Sequence, residues 1–442
     1  MKIDGNDKKY EEKLYELSYD AANMCVQCGY CLPVCPTYLT MGNEAQSPRG
    51  RINLVKMAAE GKIDILEDLK QPIDLCLGCR ACEVACPVNV PYGEIYESAL
   101  NVIAEKKKAT KSSSTVSDKL LQTMLKNLFP KKNRLRTVGS FVWLYQSTGL
   151  SKIAEKTKII DMVSKPMGEF ERALPKVEAP YKRYKFGELY KAVGEKKMTV
   201  AFFPGCIMDA VMSKINRQSI ELLQKCGIEV VIPQNITCCG ALHSHKGEIE
   251  ATKKMAKQNI EAFEELGVTY LINNAGGCGA MLHEYDKLLA DEPDWKHRAD
   301  QFVDRSRDIT EVLVEIDNIP FEKEWQGVIT YQDSCHLRNV QGVVDPPRKL
   351  LNSIPGAMFI EMKNSHLCCA SGGIYNLLHF EESMEILDEK MVHVLNTEAS
   401  TLVTTNPGCL LQMRLGIERS GVKNKMQGLH LIEVLAEACG IK

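Results

Sequence analysis

The stretch CVQCGYCLPVCP at 25–36 decides how this chain is read. It sets Cys25, Cys28, Cys31 and Cys35 in the spacing C-x2-C-x2-C-x3-C, closed by Pro36. The stretch CLGCRACEVACP at 76–87 repeats the pattern with Cys76, Cys79, Cys82 and Cys86, closed by Pro87. A cysteine-free gap of 119 residues follows, from 87 to 205. Beyond it come Cys206, the pair Cys238–Cys239 and Cys278, then Cys335, the pair Cys368–Cys369 and Cys409. Matching members of these later sets are offset by 129, 130 and 131 residues (206 to 335, 238 to 368, 278 to 409). So steady an offset marks a duplicated domain. Cys226 and Cys439 fit no set and read as small core residues.

Cysteines three apart let one tight turn offer three thiolates to a compact cage, which is what a [4Fe–4S] cluster requires. In paired runs of this kind, the cysteine before proline ligates the other run's cluster. Cluster one is therefore assigned to Cys25, Cys28, Cys31 and Cys86, and cluster two to Cys76, Cys79, Cys82 and Cys35. Zinc is the competing reading, but zinc sites use separated C-x2-C pairs. Each later set also offers four thiolates, enough for one further cluster per copy. A vicinal disulfide, inert buried thiols and zinc are the alternatives there. Between the two runs lies Ser47-Pro48-Arg49-Gly50-Arg51. Arg49 and Arg51 are candidates for tuning an anionic cluster or docking a partner; a plain helix start with solvated arginines is the other reading.

Composition narrows the field. Eighteen cysteines in 442 residues, with 55 basic and 57 acidic side chains, describe a nearly neutral chain that is no obvious nucleic-acid binder. The N-terminus is polar and no apolar run is long enough to cross a bilayer, so a cytoplasmic address with reduced thiols is expected. No G-x-G-x-x-G opens a βα unit and no P-loop is present. Flavin and nicotinamide are thus not expected on this chain, and the substrate chemistry is expected on another polypeptide.

The chain divides into four expected domains. Residues 1–105 read as a mainly helical two-cluster domain, with helices at Lys8 to Met24, Gly50 to Gly61 and Tyr92 to Lys108. Residues 106–197 form a connector, whose stretch 106–165 holds 14 Lys/Arg against three Asp/Glu. Apolar residues recur at helical spacing in VSDKLLQTMLKNLF (116–129) and VGSFVWL (138–144). Such a segment suits an anionic membrane surface, a partner, or internal packing. Residues 198–326 and 327–442 alternate strands and helices and read as two α/β lobes. Strands are expected at Thr199–Phe203, Glu229–Ile232, Thr269–Ile272, Val328–Tyr331, Met358–Glu361 and Leu402–Thr404. The fold class is therefore α+β multidomain, with cysteines just beyond strand C-terminal ends, where open α/β sheets hold ligands.

The stretches FFPGC (202–206), CCGALHSHKG (238–247), NNAGGCGAML (273–282), DSCHLRNVQG (333–342) and NPGCLLQ (406–412), with SPRGR between the cysteine runs, carry a family resemblance. The chain resembles the iron–sulfur subunits of glycolate oxidase (glycolate dehydrogenase) over almost its whole length. Its later lobes are similar to the CCG domains of heterodisulfide reductase. The resemblance implies FAD-containing glycolate oxidase partner subunits and electron delivery to a quinone or another acceptor, with peripheral contact at the inner face of the membrane open. Related modules serve anaerobic glycerol-3-phosphate and lactate dehydrogenases, and a disulfide reductase is a further alternative. The full CCG motif closes with C-x-x-C; here Met281 and Gln412 stand at the last position, and Ala370 replaces the glycine after the second pair. Among His243, His245, His283, His336 and His366, His336 beside Cys335 is the first candidate for a cofactor-binding role.

Overall fold

The computed structural model describes residues 16–110, 116–316 and 318–442; side chains at 116–121 and 163 fall outside that description. The expected helix over 8–24 is described only from 16 onward and forms Tyr19–Asn23. The chain divides into two compact units. One comprises the described residues of 1–122 with 241–252 and 370–386; the other comprises 123–240, 253–369 and 387–442.

The first unit is helical. Helix α1 (Pro48–Ala59) begins and ends two residues earlier than the expected Gly50 to Gly61, because the residues of SPRGR build its first turn. Ser47 is the N-cap, its Oγ accepting from the Gly50 N–H at 2.9 Å, and Pro48 occupies the first turn. Gly50 is required by crowding: a Cβ there would lie 1.9 Å from the Glu44 carbonyl oxygen. Ile52, Val55, Ala58 and Ala59 then bury one face of α1. Helix α2 (Tyr92–Ala109) buries Ile95, Ala99, Leu100 and Ile103 in the same core.

The second unit carries two sheets. Five strands, β1 (Leu189–Tyr190), β2 (Met198–Phe203), β3 (Ile228–Val231), β4 (Leu271–Asn273) and β5 (Ser306–Asp308), lie in the order β1-β3-β2-β4-β5, parallel except for β1. Four parallel strands, β6 (Val328–Tyr331), β7 (Met358–Phe359), β8 (Thr401–Thr404) and β9 (Gln427–His430), lie in the order β7-β6-β8-β9. Val200, Ala201, Phe202 and Phe203 are all buried, as expected for strands covered on both faces. One core runs through both lobes and includes Phe202, Ile272, Tyr331 and Val403, together with Cys226 and Cys439.

The strand expected at Glu229–Ile232 moves one residue back, to Ile228–Val231, and two others differ more. Strand β4 starts at Leu271, opposite Ala201, although Thr269 and Tyr270 already bond β2, the Thr269 N–H donating to the Thr199 carbonyl at 3.3 Å and the Tyr270 carbonyl accepting from the Ala201 N–H at 2.9 Å. The strand expected over 358–361 keeps only Met358–Phe359 at its sheet edge. The short strands β1, β5 and β9 carry little periodicity and went unexpected. In each lobe the first parallel strand, β2 or β6, has neighbours reached in opposite directions, which opens a crevice at the strand C-terminal ends.

Candidate iron–sulfur sites

In the first unit the two cysteine runs interleave around two clefts. The larger, about 410 Å³, is lined by Cys25, Cys28, Cys31 and Cys86, with Arg49 at its rim. The smaller, about 300 Å³, is lined by Cys35, Cys76, Cys79 and Cys82, with Arg51. Pro48, Cys82 and Tyr92 line both and form the wall between them. The thiols ring a void instead of meeting at a point. Among the described residues no three His, Cys, Asp or Glu side chains converge closely enough for a single metal ion.

The surroundings suit bound thiolates. Backbone N–H groups of Gly78 and Val90 donate to the sulfurs of Cys76 and Cys86, each at 3.4 Å. The Gln27 side-chain amide donates to Cys25 Sγ at 3.5 Å. Burial pushes the free Cys31 thiol up to about 11 and Cys82 well above its usual range; Cys76 rises for the same reason, opposed by the Arg51 charge. These thiols therefore hold their protons until a cationic centre displaces them, which couples ligation to proton release.

The two arginines of SPRGR part company. Arg51 is buried, its Nε donating to the Pro72 carbonyl at 2.7 Å and its Nη2 to Thr37 Oγ1 and Gln46 Oε1. Arg49 sits at the surface, paired with Glu44 at 2.6 Å, and reaches the Gln27 carbonyl.

In the second unit the sheets deliver the later cysteines. Helix α3 (Lys132–Ser147), from the connector, packs on α4 (Cys206–Val211), which begins at Cys206 beyond β2. The Cys238 thiol donates to Cys206 Sγ at 3.6 Å. A cleft of about 300 Å³ beside them is lined by Phe129, Lys132, Leu135, Phe186 and Asp209. The connector thus covers the first site with its inner face, and buried Asp209 is held by the Arg136 guanidinium and the Tyr184 hydroxyl. A Cβ at Gly139 would strike the Ala210 carbonyl at 2.0 Å, so this glycine lets the two helices touch.

The pair Cys238–Cys239 lies in the loop after β3, ending at Gly240 with φ 94°. Helix α5 (Ile249–Glu264) supports it through Asn259, whose amide accepts from the Thr237 N–H at 2.9 Å and donates to the Cys238 carbonyl at 3.0 Å. Tyr285 donates to the Cys239 carbonyl at 2.8 Å. Cys278 lies in α6 (Gly276–Leu282), beyond β4, with its sulfur against Gly205. Met281 is buried one turn later.

The second copy repeats the plan. Cys335 opens α7 (Cys335–Asn339) beyond β6, with its sulfur 3.6 Å from His336 Nδ1. Cys368–Cys369 precede Ala370, which keeps the left-handed turn of Gly240 at φ 69°. Helix α8 (Phe380–Leu395) runs behind this loop, and Cys409 lies in α9 (Pro407–Arg419) beyond β8, with Gln412 fully buried one turn later. Asn406 links the two copies: its Oδ1 accepts from the Gly277 N–H at 3.0 Å and its Nδ2 reaches Cys409 Sγ at 3.6 Å. Asp333 is buried between Arg348, bidentate at 2.9 Å, and Arg338. Of the remaining candidate histidines, His245 is pushed down to about 4 by burial, and His283 and His366 are lowered by the same cause. Asn259, Tyr285, Asp333 and Lys390 are supporting residues that spacing arguments do not reach.

Comparison with known families agrees with this construction. Residues 21–90 match a family described as "4Fe-4S dicluster domain", 117–174 match "Glycolate oxidase iron-sulfur subunit, linker region", and 200–283 and 329–414 each match "Cysteine-rich domain". Fold and cysteine sets define an iron–sulfur protein: a helical dicluster module followed by a duplicated α/β cysteine-rich module. The chain is 46% identical to a "Probable glycolate oxidase iron-sulfur subunit" of Bacillus subtilis, over 95% of this chain and 94% of that one. It is 26% identical to the "Glycolate oxidase iron-sulfur subunit" of Escherichia coli over 94% and 93% of the two chains. "Lactate utilization protein A" of Oceanobacillus iheyensis is 34% identical over 54% of this chain and 96% of its own length. The chain belongs to the glycolate oxidase iron–sulfur subunit family.

Proposed function

We propose that this chain is the electron-transfer subunit of a glycolate or related 2-hydroxy-acid dehydrogenase. It works beside FAD-containing subunits that oxidise the substrate, and it delivers electrons to a quinone or other acceptor. The observation that carries this reading is the interleaving of two cysteine runs around two clefts that share one wall. Cys25, Cys28, Cys31 and Cys86 would hold one [4Fe–4S] cluster, and Cys35, Cys76, Cys79 and Cys82 the other. Cys206, Cys238, Cys239 and Cys278 would hold a third cluster, and Cys335, Cys368, Cys369 and Cys409 a fourth. Such clusters, when bound, take up and release single electrons. The chain's own residues supply thiolates, sulfur-directed N–H donors, the buried Arg51 charge and a dry wall of Pro48, Ile52, Val90 and Tyr92. His336 is proposed to touch the cofactor of the second copy, and Arg49 to meet the partner at the rim of the first cleft.

The outer face of the connector is proposed to rest on an anionic membrane surface. Phe141, Ile153, Ile159, Met162 and Met167 are between 57% and 84% exposed on it. Between 131 and 167 the exposed charges are Lys131, Arg134, Lys152, Lys156, Lys158 and Lys165 against Glu155 alone. Apolar side chains flanked by cations suit lipid headgroups. Among the described residues no helix is long and apolar enough to cross a membrane.

Co-expression with the flavoprotein subunits tests the main reading. The complex should reduce a dye and a quinone with glycolate, and Cys31→Ser or Cys82→Ser should abolish quinone reduction while flavin reduction persists. Full quinone-linked turnover in both variants would refute it. Lactate and glycerol 3-phosphate, run in parallel, decide the substrate.

A further inference from the structure

The duplication permits a comparison position by position. Helices α5 and α8 are both 16 residues long, and their first and last residues are both offset by 131. That shift sets Asn259 opposite Lys390. Both are buried, at 0% and 3% exposure. Both brace the segment that enters a vicinal cysteine pair: Asn259 bonds Thr237 and Cys238, while Lys390 Nζ donates to the carbonyls of Asn364 at 2.5 Å and Ser365 at 3.4 Å. The first copy therefore has a neutral amide where the second has a cation.

A buried ammonium is costly unless negative charge stands close to it. Among the described residues Lys390 forms no ion pair. The buried carboxylate whose charge reaches Lys390, Asp333, is already taken by Arg348 and Arg338. The other groups whose negative charge would act on Lys390 are Cys369, Cys368 and Cys409, once their thiols are deprotonated. Burial lowers its pKa to about 8, which still leaves it mainly charged at neutral pH. The first site has a cation too, but Lys132 is partly exposed, bonded to the Gln234 carbonyl and accompanied by Asp209. Water screens that charge far better than it screens Lys390.

We propose that Lys390 is the resident counter-charge of an iron–sulfur cluster held by Cys335, Cys368, Cys369 and Cys409. Its positive charge raises that cluster's reduction potential above that of the cluster in the first copy, so a single electron shared by the pair settles in the second. This rests on the reading that both later cysteine sets hold clusters. Lys390 is a positioning and electrostatic residue, since it donates to carbonyls and does not ligate.

The test is an EPR redox titration of the anaerobically purified full chain, with iron and acid-labile sulfide counts on every variant. Lys390→Met should move one signal of the later cysteine sets to lower potential and leave the signals of the first unit in place. Lys390→Arg should keep the wild-type midpoint, and Asn259→Lys should raise the midpoint of the other copy. If Lys390→Met fails to load one cluster, loading restored in Lys390→Arg supports the counter-charge, and loss in both variants overturns it. A fully loaded Lys390→Met with an unmoved midpoint also overturns it. A wild-type chain holding iron and sulfide for only the two clusters of the first unit would instead refute the underlying reading, and the counts report that separately from the midpoints.

Discussion

Arg49 and Arg51 stand two apart in one motif and have opposite fates. Arg51 turns into the first unit and satisfies a carbonyl, an amide and a hydroxyl beside Cys35 and Cys76, while Arg49 stays at the rim with Glu44. Removing the Arg51 fork strands buried acceptors, each loss costing about 1–3 kcal/mol. Arg51→Met should therefore lower the melting temperature of the anaerobic protein and move one first-unit EPR signal to lower potential. Arg49→Ala should leave both nearly unchanged; equal effects of the two variants would contradict this division. Ala370 offers a second test. It holds a left-handed conformation that costs an L-residue about 1–2 kcal/mol, partly offset by glycine's greater freedom in the unfolded chain. Ala370→Gly should stabilise the second lobe by about 0.5–1 kcal/mol, read as a higher denaturation midpoint. The substitution was legible in the sequence, but its backbone conformation was not.

At the scale of elements, the capping box that closes β5 onto the helix Ile309–Val314 has a fully buried N-cap, Asp308. Asp308 accepts from the Thr310 N–H at 2.9 Å and its hydroxyl at 2.6 Å, while its Oδ2 is buried without a partner. Burial raises its pKa to about 7, and Glu311 is raised by the same cause. The unfolded carboxyl titrates near about 4. Between about 4 and 7 the folded chain thus binds a proton that the unfolded chain releases, and stability falls as pH rises through that window. Asp308→Asn keeps the cap acceptor and should flatten most of that slope, with Glu311 supplying the rest. Denaturation at pH 5 and pH 7.5 measures it; an unchanged slope would show that Asp308 does not carry the effect. Neither β5 nor this cap was legible, because three residues with charges at two positions show no strand alternation. The long strand β2 was legible because its buried run is continuous.

For the whole molecule, the connector is the segment whose role the tertiary structure most sharpened. Its inner face is internal packing, through Arg136, Gly139 and Leu135 against the first cysteine lobe. Its outer face keeps Phe141 and Met162 in solvent beside exposed lysines. Vesicles containing anionic lipid should co-float with the intact chain. Phe141→Glu together with Met162→Glu should reduce the bound fraction severalfold, and raised salt should weaken the rest. Equal binding to neutral vesicles would argue against the cationic contribution, and no flotation at all would leave a protein partner as the occupant of this face.

What the sequence determined by itself was the inventory: two C-x2-C-x2-C-x3-C-P runs, a duplicated set of four cysteines at a shift of about 130, and the order of a helical module before two α/β lobes. Those features are local, since a turn's ligand spacing and a strand's buried run are written in consecutive residues. Only the tertiary structure decided which of two neighbouring arginines is buried, and that Asn259 and Lys390 occupy equivalent places beneath the two vicinal pairs. Each of those depends on side chains distant in sequence meeting in a dry interior, where a charge or a missing hydrogen bond weighs far more than it does in water.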